Sequence, residues 1–196
     1  KMIRSGFEMI EYPNYFGNFR PYLYVDRLHV LILNEIKLYL QHLFKIITPE
    51  CYNQLQQVIK KYKYFPKGAI NKEISNLSGS MILKAAFMIV AIFYDQRVSV
   101  GFQSLQDMKN NLEILQCLIL ISCISSKEEI TKSMNDGNLN DLDILKDSLH
   151  VLKNCEYYEG SFRDNAHYFL EHFCDFSMWR ELGSPRYLSS NLGESS

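Results

Sequence analysis

Nothing in this sequence is spaced to hold a phosphate or to build a known catalytic motif. Its nine glycines are dispersed through 196 residues, so no Gly-x-Gly-x-x-Gly or P-loop run offers successive backbone N–H groups to an anion. A Gly-x-Ser-x-Gly elbow is missing too, which removes the strained turn on which many hydrolases mount a serine. The five cysteines (Cys51, Cys117, Cys123, Cys155, Cys174) include no Cys-x-x-Cys pair. Their odd number, and the apolar neighbours of Cys117 and Cys123, argue against a disulfide framework. They predict reduced, buried thiols in a cytoplasmic or nuclear protein. Apolar runs are short as well. Met81 to Tyr94 contains Lys84, and Ile114 to Ile124 is shorter still, whereas a bilayer span needs about 20 apolar residues. No membrane partner is expected. Between residues 28 and 162 the only arginine is Arg97, which is poor provision for reading base edges.

Metal and acid–base chemistry find little support. His167 and His172 stand five apart, and on an α-helix that spacing points them to different sides. Adding Cys155 and Cys174 gives four soft side chains, but in no zinc-finger spacing. Asp136, Asn138, Asn140 and Asp147 fall at positions one, three, five and twelve of a calcium loop, yet position six is Asp141 where the sharp turn needs glycine. Asn140 is better employed as a helix cap. Glu128/Glu129 and Asp141/Asp143 pair carboxylates in polar surroundings, where nothing would raise a pKa towards neutrality. No catalytic, cofactor-binding or metal-ligating residue is assigned. No cofactor is expected, and a non-enzyme is the leading reading, with an enzyme of unrecognised site in third place.

What is present is apolar periodicity and many rings. The chain is 47% hydrophobic and carries 13 Tyr and 12 Phe against one Trp. From Val25 to Ile47, the residues Leu28, Leu31, Ile32, Glu35, Leu38, Tyr39, His42, Leu43 and Ile46 step by three and four, the spacing of one helix face. Thr48-Pro49-Glu50 then supplies an N-cap, a proline where its missing N–H costs nothing, and an acid at the positive end of the dipole. The helix it starts ends near Pro66-Gly68. A short helical turn is expected over Asn71 to Leu77. Ser80 is read as the cap of a helix over Met81 to Asp95, hydrophobic nearly all round and so enclosed by the others. Residues 97–102 form an extended connector. Further helices are expected from Ser104 to Ser122, from the capping box Ser126/Glu129 to Asn135, from Asn140 to Lys153, and from Ser161/Asp164 onward. The last carries the stripe Ala166, Phe169, Leu170, Phe173, Phe176, Trp179 and is terminated by Gly183-Ser184-Pro185.

The predicted fold is all-α: an irregular multi-helix bundle or a short stack of helical hairpins, with about seven helices. Residues 1–24 read as an extended aromatic arm packed on the domain, because Pro13, Pro21 and two glycines forbid a long helix there. Residues 25–182 read as a single helical domain, and residues 183–196 as a flexible tail or linker. The termini suggest a piece of a larger protein.

The leading functional expectation is a protein–protein interaction module of an intracellular scaffold, meeting protein partners through Tyr15, Phe16, Tyr22 and Trp179, ring types enriched in interface cores. The alternative is nucleic-acid binding through the basic segment at 60–67, where Lys60, Lys61, Lys63 and Lys67 alternate with rings. Charge is also unevenly distributed. Residues 1–110 hold 14 Lys/Arg and 8 Asp/Glu, and residues 111–196 hold 7 and 14, so +6 and −7 give the net −1. That polarity allows a homo-oligomer built by pairing the basic half of one copy with the acidic half of another. The first test is of the fold class: far-UV circular dichroism should report helix well above the usual third or so of residues, and a sheet-dominated spectrum would contradict the whole reading.

Overall fold

The structure, a computed structural model, describes residues 27–63, 65, 70–74, 77–94, 105–127, 140–159, 164–175, 179 and 185. Of these, 78% are helical and none lies in a strand, so the chain is all-α. Six helices run through the described residues. The seventh expected one, from Ser126 to Asn135, lies outside them beyond Lys127, as do the 97–102 connector and the arm with Tyr15, Phe16 and Tyr22.

The first helix, α1, is one rod in two registers: a π-helical stretch Leu28–Ile36 followed by an α-helical stretch Lys37–Ile46. It is the axis of the fold. Its π-helical half packs on α3 (Gly79–Tyr94), on α4 (Leu105–Ile124), and on both halves of α6, which consists of α-helical Asp164–Tyr168 and π-helical Phe169–Phe173. Leu31, Ile36, Tyr39, Leu40 and Leu43 are wholly buried. The sequence pattern had placed Leu31, Tyr39 and Leu43 on this inner face, together with Leu38, His42 and Ile46. Wider i→i+5 turns at the start shift the register, so that Leu40 and Phe44 go inside as well, while Leu38 and His42 are half-buried and Ile46 exposed.

Local chemistry then explains the breaks. Ile47 turns extended (φ −72°, ψ 151°) and ends α1. Thr48 caps α2 (Pro49–Ile59), its hydroxyl accepting from the Cys51 N–H at 3.2 Å with Pro49 in the first turn, as the sequence predicts. After α2 the expected turn of helix at 71–77 gives way to an asparagine-built turn. The Asn71 side-chain oxygen accepts from the N–H groups of Glu73 (3.0 Å) and Ile74 (2.7 Å), competing with helical bonding as short polar side chains do. Ile74 is held there at φ 49°, a conformation that costs a β-branched residue about 1–3 kcal/mol. Its side chain is wholly buried, and Gln56 donates to the Ile70 carbonyl at 2.8 Å alongside.

Helix α3 starts at Gly79, one residue before the expected Ser80 cap. A Cβ at Gly79 would lie 2.4 Å from a methyl of Leu28, so glycine is what allows α3 to begin so close to α1. The helix is not enclosed all round. Ile82, Ala85, Ala86, Ile89, Ile92 and Phe93 are buried, but Phe87 and Tyr94 are exposed.

Helix α4 and α5 (Asp141–Lys153) lie side by side. Their junction is fastened by polar groups: Lys127 binds buried Asp141 at 2.5 Å, and the Asn140 side chain accepts from the Asp143 N–H at 2.9 Å as the cap of α5. The end of α4 is closed by Arg27, which donates to the Ser122 carbonyl, the Ser122 hydroxyl and the Ser125 hydroxyl, a cation set against the negative pole of the helix.

Trp179 corrects an expectation. It is 3% exposed, its ring sits edge-on to Phe173 at 5.7 Å, and its indole N–H donates to the Phe173 carbonyl. In this fold it is core and offers no surface to a partner. Trp179→Ala should therefore cost about 3–5 kcal/mol of stability, the usual loss for emptying a large aromatic site, read as a lowered urea midpoint. A change under 1 kcal/mol would mean that the ring is not packed as described.

Candidate functional site

In the C-terminal half of α1, buried Tyr39 and half-buried His42, one turn apart, face the first half of α4 and the segment where α5 ends. A cleft of about 660 Å³ opens between the three helices. Its apolar floor includes Ile114 and Val151, and Asp107, Glu113 and Glu156 stand among its walls; among the described residues no lysine or arginine lines it.

Behind the cleft runs a ladder of rings. The Tyr39 hydroxyl donates to the Asn111 carbonyl and side-chain oxygen, both at 2.9 Å, and the Asn111 amide donates back to the Asp107 carbonyl at 2.8 Å. Tyr157 meets Tyr39 edge-on at 4.8 Å and His42 at 4.9 Å. Next to it, Tyr158 is edge-on to Tyr157 at 4.9 Å, and its hydroxyl donates to Glu35 Oε2 at 2.8 Å. Glu35 is wholly buried on the π-helical stretch of α1. The sequence signal for this carboxylate was its position on the apolar face of α1. Nothing local in the sequence announced that Tyr158, 123 residues away, would answer it.

The titratable groups here are set for hydrogen bonding. Burial pushes the Tyr39 phenol up, with Cys155 and Tyr157 adding to it, so Tyr39 stays a neutral donor. Burial likewise raises the Cys155 thiol at the cleft wall, against opposing hydrogen bonds from the neighbouring backbone. It pushes Cys117 on α4 up to about 11, although the Ser148 hydroxyl works the other way. A nucleophilic cysteine needs a lowered pKa, and neither thiol has one. The cleft thus sets three carboxylates beside apolar side chains, with protonated thiols at and near its wall.

The remaining sequence candidates lie elsewhere. Lys60, Lys61 and Lys63 follow the end of α2, all exposed, with Tyr62 half-buried between them. Their backbone N–H groups continue the winding: Lys60 to Gln56 at 3.0 Å and Lys61 to Val58 at 3.1 Å. Lys67, Tyr15, Phe16 and Tyr22 lie outside the described residues. His167 and His172 do not diverge as α-helical spacing implied, because the π turn of α6 brings residues five apart onto one side, with ring centroids at 5.3 Å. Among the described residues no group of three or more His, Cys, Asp or Glu could hold a metal ion, and no described helix is long and apolar enough to cross a membrane. Comparison of the chain with family models, with curated proteins and with solved structures gives no match.

Raised thiol pKa values carry a sign. A thiol held protonated by burial favours the native state below its unfolded value near 9, and that contribution is lost as pH climbs through the folded value, for Cys117 between 9 and about 11. In the folded protein, alkylation of Cys117 and Cys155 by iodoacetamide at pH 7.5 should run well below the rate of a free cysteine and speed up as pH rises. Peptide mass spectrometry reads both sites, and a rate at or above free cysteine at either would contradict the assignment.

Proposed function

We propose that this chain is a protein-interaction module that works without catalysing a reaction, and that its docking face is the outer side of α3. The observation that carries the reading is the exposure of Phe87 (47%) and Tyr94 (59%) on the most apolar helix of the chain. Exposed large rings on a rigid helix are the material of binding hot spots. Lys84, Phe87, Ala91 and Tyr94 follow one another at three- and four-residue steps and are all exposed, so they form one stripe along the axis. The two rings lie about 10 Å apart along the helix, at 1.5 Å per residue. The small Ala91 leaves a notch between them, the shape that takes the ridge of a partner's apolar helix. The partner is accordingly a protein presenting an apolar helical face, bordered by an acid able to reach Lys84.

This moves the interaction surface from the tryptophan that the sequence favoured to a helix that the sequence placed at the centre. A photo-crosslinking residue at position 91 of the parent protein, in its own cells, should give one dominant adduct with a defined partner. Gln57, exposed on α2, should give none of it. Phe87→Ala with Tyr94→Ala should abolish the adduct while leaving the melting temperature within a degree or two. Absence of any adduct specific to position 91, or collapse of the double variant's stability, would remove the proposal's support.

A further inference from the structure

We infer that a second copy of this chain seats its Lys60–Lys63 turn in the cleft between α1, α4 and α5, so that the protein associates head to tail. This goes beyond the α3 surface and does not depend on it. The two faces match in charge and in apolar character. The cleft presents Asp107, Glu113 and Glu156 beside His42, with no lysine or arginine among its described lining residues, over a floor that includes Ile114 and Val151. The turn presents three exposed lysines within four residues, with Tyr62 among them. Lysine stems cover apolar surface while their ammonium groups remain at the rim, which suits a cleft with greasy floor and acidic edge.

Within one copy, the described ion pairs leave out the three lysines of the turn and two of the acids of the cleft. The ion pairs among the described residues are Lys127–Asp141, Lys146–Asp143 and Lys153–Glu171. Lys60, Lys61, Lys63, Glu113 and Glu156 take part in none of them, and all five are exposed. Lys153, the basic residue just before the cleft-lining end of α5, is already engaged by Glu171 at 2.9 Å. The same polarity runs through the whole chain, +6 over residues 1–110 and −7 over residues 111–196, so long-range attraction orients two copies the same way as the local contact does.

Because the two faces are different patches of one surface, the contact is heterologous. It leaves a free cleft at one end and a free lysine turn at the other, and further copies can add. Exposed ion pairs are individually weak, so the association is modest and fades as salt shortens the Debye length from about 10 Å at 0.1 M.

Two charge-reversed variants decide the matter by sedimentation velocity at low salt. Lys60→Glu/Lys61→Glu/Lys63→Glu keeps only the cleft, and Glu113→Lys/Glu156→Lys keeps only the lysine turn. The wild-type chain should show a concentration-dependent series of species that collapses to monomer near 0.5 M salt. Each variant alone should associate at least about tenfold more weakly, the scale of two or three exposed pairs acting together. In an equimolar mixture of the two reversed variants the intact cleft of one meets the intact turn of the other, and the altered faces, glutamates on one and lysines on the other, are complementary again. The mixture should therefore recover the association that each variant alone loses. All altered side chains are exposed, and unchanged circular dichroism of each variant confirms folding; Lys→Gln and Glu→Gln versions replace any that fails. A monomeric wild-type chain at millimolar concentration overturns the inference. So does association indifferent to both sets of changes, a mixture that stays monomeric, or a lysine turn that retains a single-stranded oligonucleotide while the chain remains monomeric.

Discussion

The rest of the molecule is organised by the need to bury α1 along most of its length, including a carboxylate. Leu28, Leu31, Ile32, Ile36, Tyr39, Leu40, Leu43 and Phe44 all lie in the core, and Glu35 lies among them. Removing a charged or polar group from water costs several kcal/mol unless hydrogen bonds answer it. The structure answers with Tyr158, from the segment just after α5. That bond ties the segment just after α5 to the buried side of α1. With Tyr158 in place, Tyr157 is brought against Tyr39 and His42, and the cleft acquires its back wall. The position of a surface feature is thus set from inside the core.

A second constraint acts at the helix ends. Arg27 closes α4 at the start of α1, and Lys127 with Asp141 ties the end of α4 to the start of α5. These contacts pair backbone or side-chain polar groups that would otherwise be orphaned where helices stop. They keep α4 and α5 together as a flank to α1, and α6 closes another side through Phe169 and Phe173, with Trp179 packed on Phe173. Helix α3 is held by α1, α2 and α4, which leaves one side uncovered. Its strong hydrophobicity led the sequence reading to place it at the centre. The centre is α1, whose composition is more mixed but whose burial is more complete.

What could be read from the sequence was the chemistry that acts over three or four residues. Thr48-Pro49 and Asn140 behave as caps because a cap needs only its own next turn. The all-helical class follows from apolar spacing alone. What could not be read depends on partners far away or on departures from 3.6 residues per turn. The π-helical stretches slide α1 by about one position and draw His167 and His172 together, and no local signal marks them. Asn71 outcompeted a helix that its neighbours would have allowed, because its side chain took two backbone donors at once. The Trp179 ring, an interface candidate by its residue type, packs inside against Phe173. The candidate site was legible only as a charge asymmetry between halves, since the cleft is assembled from residues spread between 42 and 157.

The electrostatics add a last step. A bipolar chain can satisfy itself by folding its halves face to face, or can leave the poles outward. Here the described ion pairs fall within the acidic half: Lys127 with Asp141, Lys146 with Asp143, Lys153 with Glu171. The described lysines of that half, Lys127, Lys146 and Lys153, are each paired with its own acids, and none of these pairs reaches the basic half. Lys60, Lys61, Lys63, Glu113 and Glu156 stand exposed outside these pairs, where water screens them cheaply. Such a surface contributes little to the stability of one copy, because exposed charges far apart barely interact. It contributes more to orienting encounters, because fields from several uncompensated groups add. The hydrophobic axis therefore carries the stability of the fold, while the charge left over at the surface is free to govern association.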